Sequence, residues 1–133
     1  ETQGVTVLGY GTNELPAFYA RSSGLPIDQQ VDSPQEVANL IEARRALQYD
    51  SGMLVTVPAP QAEALSAAEA EAAIVQATRE ADEQGIHGSD STPWLLRRVV
   101  ELTDGRSLIA NVALLRNNGF VAAQIATAVA GSS

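Results

Sequence analysis

An α/β fold with a parallel strand pair is predicted by three observations. Residues 5–10 (VTVLGY) and 53–57 (MLVTV) are short β-branched apolar runs, a strongly capped helical pattern lies between them, and the second half is almost wholly helical. Strand, helix, strand in that order implies parallel strands joined by a right-handed crossover. Two or three strands are too few for a parallel sheet to stand covered by itself. The sequence therefore predicts a missing partner segment.

The first run ends at Gly11. Residues 12–30 carry Pro16, Gly24 and Pro26 and no helical period, so they read as one long loop, ordered by Phe18 and Tyr19. Ser33-Pro34-Gln35-Glu36 is a capping box with proline at the first helical position, opening a helix to about Gln48 whose Val37, Leu40, Ile41 and Leu47 face inward. Asp50-Ser51-Gly52 breaks it, and Pro58-Ala59-Pro60 stops the second strand.

A second capping box, Ser66-Ala67-Ala68-Glu69, opens an alanine-rich helix that ends near Gln84 with Gly85 after it. High helix propensity is sufficient reason for its alanines. A polar loop over residues 86–91 leads to Thr92-Pro93, read as the start of a helix through Leu102. Asp104-Gly105 turns the chain, and Ser107 is expected to cap a last helix with an apolar stripe of Leu108, Val112, Leu115, Val121, Ile125 and Val129, kinked at Gly119.

With 133 residues and 45% hydrophobic content, the chain is read as one domain, residues 1–133. The apolar stretch over 112–130 is interrupted by Arg116, Asn117, Asn118 and Gln124, so it fails as a membrane span. The opening residues have no signal-peptide pattern, and the absence of Met at position 1 suggests a processed chain or a fragment. Sixteen acidic residues against eight basic ones, net −8, repel nucleic acid and anionic membranes. The chain has no cysteine, which excludes disulfides and thiolate chemistry and fits a cytoplasmic protein. All eight basic residues are arginine, so neither an imine nor a lysine base can arise from this polypeptide alone.

No dinucleotide or P-loop glycine pattern, zinc spacing or complete triad is present. Three groups of residues remain. The loop GYGTNELPAFYARSS follows the C-terminal end of a parallel strand, where α/β proteins place ligands; an ordered surface loop is the competing explanation. Asn111, Asn117 and Asn118 lie on an otherwise apolar helix. Asn111, close to the stripe, needs a ligand or a structural hydrogen bond, while the other two could simply be exposed. His87 stands between two helices, where a solvated residue is the ordinary case. Arg97 and Arg98 could receive phosphate at a helix start or simply pair with Glu101.

In order, the segments GYGTNELPAFYARSSG, VDSPQE, GMLVTVPAP and STPWLLRRVVELTDGRSLIANVALLRNNGFVAAQIA closely resemble the C-terminal portion of the pseudouridine-5'-phosphate glycosidase, or indigoidine synthase A, family. The resemblance covers nearly the whole chain. It implies part of an α/β/α sandwich with a partly parallel sheet, completed by an N-terminal segment not in this chain. It also implies a homotrimeric enzyme that reversibly cleaves pseudouridine 5'-phosphate to uracil and ribose 5-phosphate. A lysine imine, a glutamate acid/base and a divalent metal, typically manganese, would all come from the preceding segment.

Asn111 matches the active-site asparagine of the family's SLxANIALVxNN motif, and the resemblance carries substrate contact onto Asn111, Thr12, Arg21, Val57 and Pro58. No metal ligand is carried over. Two departures stand out: Val57 occupies the asparagine position of VANPIP, and Gly88-Ser89 with Thr92-Pro93-Trp94 replaces GKxxTPF. Losing a polar donor suits a larger, more apolar acceptor. That matches a branch resembling the alnumycin C-glycosynthase, which joins ribose 5-phosphate to an aromatic polyketide. There His87 becomes a candidate acceptor contact or proton shuttle. The remaining alternatives are a non-catalytic structural fragment and a module that binds a phosphorylated ligand through Arg97 and Arg98.

Overall fold

The computed structural model describes residues 4–131; Glu1–Gln3 and the last two serines, counted within the domain above, lie outside the described residues. Three strands, β1 (Thr6–Tyr10), β2 (Gln29–Val31) and β3 (Met53–Thr56), form one sheet in the order β2-β1-β3, with both pairings parallel. Helix α1 (Pro34–Ala46) connects β2 to β3, and α2 (Ala67–Glu83), α3 (Ser91–Leu102) and α4 (Arg106–Gly131) follow. The expected mixed α/β architecture with a parallel sheet is present. β2 lies at the end of the predicted loop: with three residues and only Val31 buried, it carries no pattern of its own and exists through its ladder to β1.

The pleat assigns the sheet's faces. Leu8, Tyr10, Val31, Met53 and Val55 point one way and pack with Val37, Leu40 and Ile41 of α1 and Ile125 of α4. The reverse side presents Val7 and Leu54, and Leu54 is 51% exposed. The apolar run of β3 is therefore only half used, because one face alone is covered by described residues. Parallel sheets are ordinarily covered on both.

A second cluster joins α2 and α3. Ala70, Ala73 and Ala77 pack against Tyr19, Ala20, Leu65 and Val99, with Trp94, Leu95 and Leu102 at the margin. The alanines thus do more than favour helix: their small side chains are the contact face. Tyr19 is buried there, its hydroxyl pKa raised by burial, and Phe18 meets it edge to face at 4.7 Å. Across the helix pair, Glu80 accepts from Arg98 Nε at 2.5 Å and from Gln76 at 2.9 Å, while Arg98 also donates to Glu101 at 2.7 Å. These hydrogen bonds, Arg98's first, hold the Glu80 carboxyl below the ordinary glutamate range.

Both capping boxes form their serine bonds, Glu36 N to Ser33 Oγ at 3.2 Å and Glu69 N to Ser66 Oγ at 3.3 Å. Glu36 reaches back to Asp32 N at 2.9 Å, one residue before the cap. Several expectations fail. Leu47 caps α1 and is 65% exposed, because the chain turns through Gln48 at φ 56°. α3 starts at Ser91 without a side-chain cap, so Thr92-Pro93 lies inside its first turn. Ser107 does not cap α4 but is fully buried within it; Thr103 takes that role, accepting from Ser107 N at 3.2 Å and donating to Val99 O at 2.7 Å.

The inward face of α4 is Ser107, Ala110, Leu114 and Val121, whereas Leu108, Val112 and Leu115 are 52%, 40% and 62% exposed. With apolar residues on more than one side, this helix does not declare its inner face by polarity alone. α4 runs unbroken through Gly119, and no described helix is long and apolar enough to cross a membrane.

Two outcomes follow from this packing. A Cβ on Gly9 would sit 2.1 Å from the Thr12 carbonyl oxygen, so Gly9→Ala should destabilise by about 1–3 kcal/mol in urea denaturation, as overpacking does. Because Glu80's folded pKa is depressed, its stabilising contribution is present above the unfolded pKa and is lost as pH falls through the folded value. Glu80→Gln should therefore flatten the decline of the thermal midpoint on the acid side of the glutamate range, read by calorimetry against pH.

Candidate functional site

β1 and β3 run parallel, with Leu8 opposite Val55 and Gly9 opposite Thr56, so their outgoing loops leave from one edge. Crevices at that edge are where open parallel sheets bind ligands. On the β1 side the chain folds back at once. Gly9 has no side chain to obstruct the Thr12 carbonyl, Gly11 turns at φ 64°, and Gly11 N donates to Val31 O at 2.8 Å.

The Thr12 hydroxyl is spent locally, donating to Glu14 O and accepting from Glu14 N, both at 3.1 Å. Ile27 N donates to Asn13 O, and Leu15 N to Leu25 O, each at 2.8 Å, closing the long loop on itself. Ser22 donates to the Glu14 carboxylate. The loop predicted from aromatics and prolines is thus held by its own backbone.

On the β3 side, Thr56 Oγ1 donates to Leu8 O at 2.9 Å. The chain then passes half-buried Val57 and buried Pro58 and Ala59. Two long-range donors meet consecutive carbonyls there: Asn117 Nδ2 reaches Pro58 O at 3.3 Å, and Arg21 Nη1 reaches Ala59 O at 2.5 Å. Leu65 N bonds to Tyr19 O at 2.9 Å. Arg21, Val57 and Pro58 are therefore brought together, and Thr12 stands on the neighbouring turn from β1.

Beside them, a cleft of about 630 Å³ is lined by Arg21, Ser22, Ser23, Gln61 and the first turn of α2 at Ser66 and Ala67. The Arg21 guanidinium and the helix N-terminus favour an anion there, while Ser22 and Ser23 already donate to the Glu14 carboxylate and the Leu15 carbonyl.

Asn111 is half-buried on α4, six positions before Asn117 and so about 9 Å along the axis. It makes no side-chain hydrogen bond among the described residues, which leaves its amide available to a ligand. Asn118 is exposed. Asn117 is the residue whose role the sequence reading missed. Its contact partner, a proline carbonyl 59 positions away, leaves no trace in residue type or spacing.

His87 is not part of this assembly. It is exposed and lines a separate cleft of about 430 Å³ with Ile86, Asp90, Pro93, Trp94 and Arg97, so it is brought beside one of the two arginine candidates but beside none of Thr12, Arg21, Val57, Pro58 and Asn111. Arg98 is held between Glu80 and Glu101, so pairing with Glu101 describes it correctly and its pKa is raised. The reading in which Arg97 and Arg98 together receive phosphate loses one of its two cations. No group of three His, Asp or Glu side chains able to hold a metal ion occurs among the described residues. The ligands of the divalent cation implied by the resemblance were expected in the preceding segment, and the described residues offer no set to hold it.

Comparisons with known proteins bear on the family and the fold. A family model described as indigoidine synthase A like protein matches residues 1–128. Pseudouridine-5'-phosphate glycosidases of Lysinibacillus sphaericus (strain C3-41) and Sorangium cellulosum (strain So ce56) are 48% and 49% identical over 127 and 132 residues, spanning 96% and 97% of this chain. The same matches span 42% and 40% of those proteins, so the chain corresponds to about two-fifths of the curated relatives' length.

Among solved structures, the prealnumycin C-glycosynthase AlnA in complex with ribulose 5-phosphate superposes with a TM-score of 0.87 at 29% identity, covering 97% of this chain and 42% of that one. An indigoidine synthase A-like protein from Thermotoga maritima gives a TM-score of 0.80 at 31% identity, covering 97% and 41%. With one family model spanning nearly its whole length and its fold shared by both solved structures, the chain belongs to the indigoidine synthase A-like family.

Proposed function

We propose that this chain forms the nucleophile-free wall of the active site in a C-ribosyl enzyme, one that makes or breaks the carbon-carbon bond between C1' of ribose 5-phosphate and a uracil or aromatic ring. The observation that carries the proposal is end-to-end similarity to pseudouridine-5'-phosphate glycosidases, combined with a fold match to a C-glycosynthase bound to a pentulose phosphate. The chain has no lysine and no cysteine, so its own contribution is binding and orientation.

In this reading, a lysine in the preceding N-terminal segment condenses with the open-chain C1' aldehyde, losing water to form an imine. In the bond-forming direction the ring carbon adds to C1' as the C=N pair moves to nitrogen, an acid/base glutamate of that same segment takes the ring proton, and the sugar's own hydroxyl displaces the lysine amine from C1' to close the ribose ring; cleavage runs the same steps backwards. Asn111 hydrogen-bonds the ring or the reacting sugar, holding near-attack geometry. Thr12, Arg21, Val57 and Pro58 shape the sugar-phosphate end, with the phosphate placed toward the cleft beside Arg21 and α2. A divalent cation, manganese as the expected ion, is assigned to residues outside this chain. Homotrimer assembly belongs to the same proposal, and the uncovered apolar side of α4 supports it as a surface needing a partner.

Bond formation to an aromatic polyketide is the second reading, favoured by Val57. Half-buried beside Pro58, it offers no donor to a polar ring where the family pattern has asparagine. His87 serves an acceptor only if that acceptor extends to its separate cleft.

The decisive assay is borohydride trapping of the full-length enzyme with ribose 5-phosphate, followed by intact-mass and peptide analysis. A reduced sugar adduct on a lysine outside these 133 residues is expected. Asn111→Ala should retain the adduct while slowing turnover by about 100-fold, the scale of a lost positioning contact. Absence of any adduct in an active-site-intact enzyme would contradict the proposal and leave a binding or structural role.

A further inference from the structure

The geometry points to Arg21 and Asn117 as a pair of positioning residues that hold the turn over residues 57–60 in register with the catalytic edge. This inference rests on the C-ribosyl reading for its effect on activity, but the clamp itself is a property of the structure. Pro58 and Ala59 are buried, and a buried carbonyl without a donor carries a desolvation penalty. Their two carbonyls are met by donors 59 and 38 positions away in sequence. Pro58 and Pro60 have no N–H of their own, so this stretch has fewer backbone donors with which to fix itself.

Three elements are united by the two bonds: the loop leaving β1, the turn leaving β3, and α4. α4 also carries Asn111. Displacing the turn therefore moves Val57 and Pro58 relative to Asn111, and misplacement of about 1 Å at such a site costs on the order of 100-fold in rate. Arg21 acts in this scheme through the Ala59 carbonyl, by which its Nη1 is already engaged.

The test is a double-mutant cycle in the full-length enzyme with pseudouridine 5'-phosphate cleavage as readout, alongside hydrogen exchange of peptides covering residues 54–65. Arg21→Ala and Asn117→Ala should each lower kcat/KM by about 10- to 100-fold, chiefly in kcat. The double variant should lose little more than the worse single one, because both hold one turn. Arg21→Lys, which keeps a donor, should recover most of the loss and shows that the site still folds. Exchange over residues 54–65 should quicken in both alanine variants and return toward wild type in Arg21→Lys. Losses that multiply, with exchange over residues 54–65 unchanged, would instead mean that Arg21 and Asn117 act separately and would overturn the clamp. An inactive wild-type enzyme would count against the enzymatic reading, and the exchange data would then decide the clamp alone.

Discussion

The parallel register of β1 against β3 determines where everything else can be. Pairing Leu8 with Val55 and Gly9 with Thr56 brings two loops that are far apart in sequence out of the same edge of the sheet. That edge is usable because Gly9 lacks a side chain, which lets the Thr12 carbonyl approach to a distance no Cβ would tolerate. With the first loop folded tightly over β1, Arg21 is delivered to the turn after β3, and α4 supplies Asn117 from the other side. The candidate site is a consequence of one pairing, one missing side chain and two long-range donors.

The surfaces left uncovered are as informative as the core. The sheet buries Leu8, Val31 and Val55 beneath α1 and α4, yet Leu54 on the reverse face is half exposed. α4 carries apolar residues on its outer side as well as its inner one, and helices of that kind are ordinarily buried. A chain equal to about two-fifths of its curated relatives agrees with both observations. The proposed imine chemistry would need a lysine from outside this polypeptide, which has none. The segment that would cover the sheet is also the one that would bring the nucleophile.

Much of this was legible in the residues. The Ser33 and Ser66 caps, the two β-branched runs and the turn at Gly85 are local signals, and local signals survive into the structure because short-range hydrogen bonds decide them. β2 escaped because three residues cannot display a period; only the ladder to β1 defines them. The expected stripe of α4 holds in the second half of the helix, where Val121 is buried and Ile125 packs against the sheet cluster, and fails in the first, where Ser107, Ala110 and Leu114 pack inward and Leu108, Val112 and Leu115 are exposed. Among the candidate site residues, Asn111, Thr12, Arg21, Val57 and Pro58 were singled out by resemblance, whereas Asn117 was not, since its hydrogen bond goes to a carbonyl contributed by a distant turn. His87 was singled out by its rarity, and the fold sets it in another cleft.

The central claim is that substrate binds at the shared C-terminal edge of β1 and β3, between the turn over residues 57–60 and α4. The most direct measurement is a crystal structure of the full-length enzyme with ribose 5-phosphate bound. The sugar should lie against Val57 and Pro58, its phosphate toward Arg21 and the start of α2, with Asn111 within hydrogen-bond distance of the reacting end. A sugar phosphate seated in the cleft of His87, Trp94 and Arg97, with the β1–β3 edge empty, would contradict it.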